Sequence, residues 1–269
     1  MSMLKYWYKT QIGVGSLNTR IEVNNVDKVI NSKVVLKNIS FTLDNNELLI
    51  VKGSNGSGKS TLLKLLCGIY KPSRGKIEGL NNISVSYIPD KIPQTINSTV
   101  KELLELLLLE YNKDGKEYLV KLIEKFQLNK FLNYRINNCS KGTKQKINII
   151  HALLSNRGLI LIDEPTDGLD SNSKMLFVEE LNKIKDKAII IVTHDKQLIS
   201  SIKESKIYNL DIKDYEFTDK AINYIIKFLS IETNKISNKI VKNNHLESTL
   251  VSLINEGNKI EEVRKLEDD

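Results

Sequence analysis

Residues 53 to 61 read "GSNGSGKST", and no other stretch limits the fold of this chain so strongly. The run fits the spacing G-x-x-x-x-G-K-[S/T]. It lies between "LLIV", which reads as a buried strand, and "TLLKLLCGIY", which reads as a helix. A strand, a glycine-rich turn and a helix in that order open an α/β unit built on a parallel sheet. The glycines let backbone N–H groups turn inward on an anion, and the helix that follows presents its positive end. Gly53, Ser54, Asn55, Gly56, Ser57, Gly58, Lys59, Ser60 and Thr61 are therefore expected to cradle nucleotide phosphates, as for ATP. Lys59 is placed to reach the β and γ phosphates, and Ser60 to put its hydroxyl on Mg²⁺.

The rest of the chain supports an α/β class. Short runs rich in Val and Ile, "KVVLKNISFTL", "LLIVKG", "ISVSYI", "GLILID", "AIIIVTH" and "KIYNLDI", read as strands with helical patterns between most of them. One insertion interrupts the alternation, a helical subdomain over about 97–155. Thr99 and Glu102 form a capping box that opens a helix through "VKELLELLLLEY", Gly115 breaks it, and "KEYLVKLIEKFQL" makes a second. The divisions expected are a leader over 1–20, the main domain over 21–215 and an appendix over 216–269. In the appendix, "KAINYIIKFLS" and "LESTLVSLINEG" read as amphipathic helices, the second capped by Gly257.

Composition narrows the function classes. Forty Lys and Arg against 33 Asp and Glu give a net charge of +7, but no basic run is interleaved with aromatics. A solvated lysine surface fits that pattern, and no nucleic-acid partner is expected. Cys67 and Cys139 have no metal-ligand or redox spacing, and the start has no apolar core of signal-peptide length, which together point to a reducing cytoplasm. The longest apolar run, "LLELLLL", is far shorter than the ~20 residues of a membrane span.

Further candidates follow the phosphate cradle. In "LILIDEPTDGLD", four apolar residues carry Asp163 to a strand end, where it can hold a magnesium ion through water. Glu164, next to it, can polarise a water that attacks the γ-phosphate. His194 ends the strand "AIIIVTH" and is expected at the same carboxyl edge of the sheet.

These residues, in this order, resemble the ATP-binding subunits of ABC transporters over about residues 21–210. The resemblance implies a P-loop ATPase with a mainly parallel central sheet, an antiparallel β portion at its start and an inserted helical subdomain. It makes "GSNGSGKST" the Walker A motif, "LILIDE" the Walker B motif with catalytic Glu164, Asp170 the D-loop aspartate and His194 the switch histidine. The run "CSKGTKQK" at 139–146 falls where the family carries L-S-G-G-Q. Ser140 and Gly142 are kept there, while Cys139, Lys141 and Thr143 differ. The family uses that serine and glycine in trans, on the γ-phosphate of ATP held by a second subunit. Lys141, Lys144 and Lys146 read as surface charge.

The signature variant and the tail resemble export-type ATPases for antibiotics, bacteriocins or lipids, including those of ABC-2-type systems. The resemblance thus implies an exporter ATPase: a homodimer or heterodimer, peripheral on the cytoplasmic face of the membrane, that drives a separate transmembrane permease. A soluble ABC ATPase of the cluster-assembly kind and a weakly active half of a heterodimer fit the same residues. Two departures bear on the site. Asp90 stands after "YIP" where the family has a metal-touching glutamine, with Gln94 a poorer substitute. Ile30 stands where the family stacks an aromatic on adenine, for which Tyr6, Trp7 and Tyr8 are candidate replacements.

Overall fold

The computed structural model describes residues 20–108, 115–211, 214–219, 223–231, 233 and 236–265. The chain divides into two compact units, Met1–Lys203 with Ile207–Glu216, and Glu204–Lys206 with Phe217–Asp269.

The described part of the first unit opens with a long hairpin of β1 (Ile21–Ile30) and β2 (Lys33–Leu43). Its turn is Asn31 and Ser32, both at positive φ (49° and 63°), the two-residue geometry that matches the twist of paired strands. With β4 (Arg74–Glu78) these strands make an antiparallel sheet in the order β2-β1-β4. The sequence reading had β2 but neither β1 nor β4. Asn and Asp interrupt the apolar pattern of β1, and β4 exposes most of its residues.

The central sheet has the order β5-β6-β7-β3-β8-β9. Its strands are β3 (Leu48–Lys52), β5 (Val85–Ile88), β6 (Leu159–Asp163), β7 (Ala188–Val192), β8 (Glu204–Asn209) and β9 (Asp214–Asp219). The pairs β5–β6, β6–β7 and β7–β3 are parallel. Every residue of β6 and β7 is buried, which explains why they read as unbroken apolar runs. Helix α1 (Lys59–Leu66) follows β3 directly, so the glycine-rich run is a strand-to-helix turn as expected.

The inserted helices are α2 (Val100–Leu108), α3 (Gly115–Lys125) and α4 (Lys141–Leu154). The capping box forms: Thr99 N–H donates to Glu102 Oε2 at 2.7 Å and Glu102 N–H donates to Thr99 Oγ1 at 3.2 Å. Gly115, expected to break a helix, is the first residue of α3. Two further helices, α5 (Ser171–Leu181) and α6 (Lys196–Ser201), follow β6 and β7.

In the second unit β10 (Asn223–Leu229) lies between β11 (Ile236–Lys242) and β12 (Lys259–Lys265), all antiparallel. Helix α7 (Asn243–Asn255) supplies Leu250 and Leu253 to a small core with Ile226, Phe228, Val241 and Ile260. The expected second helix is therefore present. It ends as a Schellman motif, with Gly257 at φ 82°, Gly257 N–H on Ile254 O and Asn258 N–H on Leu253 O. The expected first helix is instead a strand. The spacing of Ile225, Ile226 and Leu229 suits period 3.6, but the core takes the alternate residues Ile226 and Phe228, and pairing with strands on both sides decides for β10.

Candidate functional site

Two cavities of about 320 Å³ each open on the first unit, and Glu164 lines both. Asn55, Gly56, Gly58, Lys59, Ser60, Thr61, Asp90, Asp163 and Glu164 line the first, together with Val35. Most of the expected phosphate and metal residues thus converge on one space. The turn that shapes it depends on Gly58, at φ 98°, where a Cβ would come within 2.9 Å of Val35 O and 2.5 Å of Leu36 Cδ2. Lys59 is buried, and its ammonium donates to the carbonyls of Gly53 (2.9 Å) and Ser54 (3.0 Å). An ammonium has three protons, so one remains for a ligand.

Asp163 and Ser60 line this cavity together. Burial, with Asp90 and Glu164 nearby, pushes the Asp163 carboxyl up to about 6, although the Ser60 hydroxyl acts the other way. Asn148 on α4 donates to Pro89 O at 3.0 Å and so fixes the turn that carries Asp90. Gln94 lines neither cavity, and its carbonyl accepts from Asn137. Ile30 ends β1 at the hairpin turn and lines neither cavity, while Tyr6, Trp7 and Tyr8 lie outside the described residues.

Glu164, the first residue after β6, takes a positive φ of 46°, which is uncommon away from glycine. Contacts through its N–H, its carbonyl and its carboxylate hold it there. Its N–H donates to Val192 O at 2.8 Å, its carbonyl accepts from Gln145 Nε2 at 2.9 Å, and its Oε1 lies 2.9 Å from His194 Nδ1. The strand ends of β6 and β7 thus bring Glu164 and His194 together, as their places in the chain suggested. Gln145, buried on α4, was not anticipated. Its partner is 19 residues away and no local pattern announces the contact.

The second cavity is lined by Glu164, Thr166, Asp167, Gly168, Leu169, Lys174, His194 and Asp195. Asp195 caps α6 and also accepts from Thr166 Oγ1 (2.9 Å) and Lys174 Nζ (2.7 Å). These bonds outweigh its burial and hold its carboxyl down at about 2. Asp170 caps α5 through Ser173 N–H at 2.8 Å, and that bond likewise holds its carboxyl at about 2. The sequence reading named Asp170 for its place in the D-loop and not as a cap, and it missed Asp195 with its cross-links to Thr166 and Lys174.

Ser140 and Gly142 line neither cavity. Ser140 caps α4, accepting from Thr143 N–H at 3.1 Å, and Gly142 packs so tightly on the 164–170 loop that a Cβ would lie 2.8 Å from Gly168 O. The lysines beside them are not idle surface charge. Lys141 pairs with Asp167, Lys146 pairs with Asp170 at 3.2 Å, and Lys144 donates to Asn137 O. Sequence reading missed these roles because each loop partner lies more than 20 residues beyond its lysine.

Comparison with known proteins agrees with this geometry. Residues 36–167 match the family model described as ABC transporter. The zinc import ATP-binding protein ZnuC of Buchnera aphidicola subsp. Baizongia pistaciae is 34% identical over 66% of this chain and 76% of its own length. The chain belongs to the ABC transporter ATP-binding family. A second zinc import ATP-binding protein ZnuC, of Wigglesworthia glossinidia brevipalpis, is 31% identical over 84% of this chain and 98% of its own length. A solved ATP-binding subunit of an ABC transporter superposes with a TM-score of 0.67 at 27% identity, covering 75% of this chain and 91% of that one. This ABC protein is an ATPase with the P-loop fold, and proteins of its family dimerise and work with a separate membrane permease. The exporter expectation is overturned: these relatives are named for import, so the altered signature and the tail do not mark an export type.

Proposed function

We propose that this chain is the ATP-hydrolysing subunit of an import system for metal ions, acting on a permease from the cytoplasmic face of the membrane. Relatives named for zinc import support the direction and the cargo class, one of them along nearly its whole length. Among the described residues no helix is long and apolar enough to cross a membrane, so coupling to a separate spanning subunit suits the fold. The division into an ATPase portion over 21–215 and an appendix over 216–269 is part of the same proposal.

The observation that carries the catalytic reading is the contact of Glu164 with His194 at the wall shared by the two cavities. Residues 53–61 hold the triphosphate, with Lys59 on its β and γ groups. Glu164 takes the proton of the attacking water, and His194 fixes the carboxylate that receives it. Ser140 and Gly142 meet the γ-phosphate of ATP held by a second subunit, the same chain or a sister, with Asp170 ordering the D-loop between them. No ion is held by a ready-made cluster, since no group of three His, Cys, Asp or Glu among the described residues could hold a metal. Mg²⁺ suits this arrangement because it needs only one or two carboxylates when phosphates complete its shell. Ser60 and Asp163 would hold it, with Asp90 beside them. A cation there would favour the ionised form of the Asp163 carboxyl, which burial first and then the nearby Asp90 and Glu164 push up. When bound it would supply positive charge against the phosphates.

The experiment is ATP-driven zinc uptake into vesicles carrying the chain with its permease. Wild type should take up zinc, and Glu164→Gln should lower kcat for ATP by at least about a hundredfold while binding is retained. Outward zinc movement would overturn import, and unchanged turnover in the variant would remove Glu164 as the base.

A further inference from the structure

Ser54 is the hub of the phosphate turn, and its outer side is held by a residue outside every motif in the chain. Its carbonyl accepts from Lys59 Nζ at 3.0 Å and from Ser57 N–H at 3.2 Å, so it orders the inner side of the turn. Its other two polar groups point to Asp211: Ser54 N–H donates to Asp211 Oδ2 at 2.8 Å, and Ser54 Oγ donates to Asp211 Oδ1 at 2.9 Å. Asp211 is itself anchored. Its N–H donates to Asn209 Oδ1 at 3.1 Å, and the neighbouring Leu210 N–H donates to Lys52 O at 2.9 Å, which joins it to the strand that feeds the turn.

Asp211 does not line the phosphate cavity. Its carboxylate therefore works from behind the turn, with both oxygens engaged by donors, rather than facing the triphosphate it would repel. Hydrogen bonds to a charged acceptor are among the stronger ones, and here two converge on one residue. A turn that carries glycines at φ 84° and 98° has little stiffness of its own. Holding it open in advance lowers the ordering cost that a bound nucleotide would otherwise meet.

We propose that Asp211 is a positioning residue for ATP binding, a two-point brace that sets Ser54 and through it the carbonyls that orient Lys59. The proposal rests on the reading of residues 53–61 as the phosphate cradle. Its effect falls on affinity and not on the chemical step, because Glu164 and His194 have separate supports.

The test is steady-state ATPase kinetics of the full chain with Asp211→Ala, Asp211→Asn and Ser54→Ala, beside equilibrium ATP binding and thermal unfolding. Asp211→Ala should raise KM and the ATP dissociation constant about tenfold, with kcat within about twofold and the melting temperature unmoved. Asp211→Asn keeps an acceptor for one Ser54 donor and should lie between Ala and wild type. Ser54→Ala loses only the hydroxyl and should also be intermediate. Combining it with Asp211→Ala should add nothing, as expected for two ends of one contact. Lys59→Ala serves as the reference. If it binds ATP normally, the cradle reading fails and the brace with it. If Lys59→Ala loses ATP while Asp211→Ala binds like wild type or more tightly, the brace alone is refuted. A fall of kcat and melting temperature along with affinity would also refute it, as a general structural role.

Discussion

The turn after β3 and the loop after β6 leave the same sheet with only β7 between their strands, and both serve one pair of cavities. They are built by opposite means. The first makes its bends with glycines at 56 and 58, and the positive end of α1 is already in the same nine-residue run. The second bends at Glu164, a residue that resists a positive φ, and distant groups hold it: Val192, Gln145, His194 and the lysines of α4. A binding turn can carry its bends in its own residue types and take only its stiffness from a distant group, here Asp211. A loop that must aim one carboxylate borrows the bend itself from elsewhere, because the residue that does chemistry cannot be glycine.

The largest effect should come from removing the built-in bend. Gly58→Ala puts a Cβ against Val35 O and Leu36 at a φ that costs an L-residue about 1–2 kcal/mol before any clash. The clash involves backbone, so it cannot be relieved by rotating a side chain. ATP affinity should fall more than about a hundredfold. Isothermal titration checks this, and near-normal affinity would mean that the turn is not set by its glycine.

The second effect tests the borrowed support. Gln145 is buried, and its amide is the one side-chain donor on the Glu164 carbonyl among the described residues. A strained φ of this kind costs of order 1–3 kcal/mol and persists only while its surroundings enforce it. Gln145→Ala should therefore lower kcat about tenfold with little change in KM. Gln145→Glu should be no better, since a carboxylate faces the carbonyl without a proton to donate. If KM rises and kcat holds, the two loops are not separable in the way their construction suggests.

That contrast also explains what was legible before the structure. The turn at 53–61, the strand ends carrying Asp163 and His194, and the Thr99 capping box are each written in adjacent residues, and each appears where it was expected. Asp211 and Gln145 were invisible because their partners lie 157 and 19 residues away. Residues 223–229 failed for a different reason. An apolar spacing of one, three and four residues favours a helix, while the alternate pair Ile226 and Phe228 serves a strand, and the neighbouring β11 and β12 decide for the strand. Direction of transport failed most fully, since it was taken from a signature variant and a tail, while the relatives along the ATPase portion are named for import.

The smallest effect concerns Lys141, which stands where the family usually has glycine. Its ammonium pairs with Asp167, its stem lies on Gly168, and both charged groups are about half exposed. Exposed pairs contribute roughly 0–1 kcal/mol, so this one cannot hold the loop as Gln145 does. Lys141→Glu should lower kcat only about threefold, less at high salt because screening weakens the repulsion it introduces. The exchange Lys141→Glu with Asp167→Lys rebuilds the pair in reverse and should restore kcat if pairing within one chain is all the lysine does. The two neighbours Ser140 and Gly142, however, are proposed to face a nucleotide on a second subunit. A lysine between them that also feels that phosphate would not tolerate reversal, and the double variant would stay as slow as the single one. The exchange thus separates a residue that supports its own loop from one that reaches across the dimer.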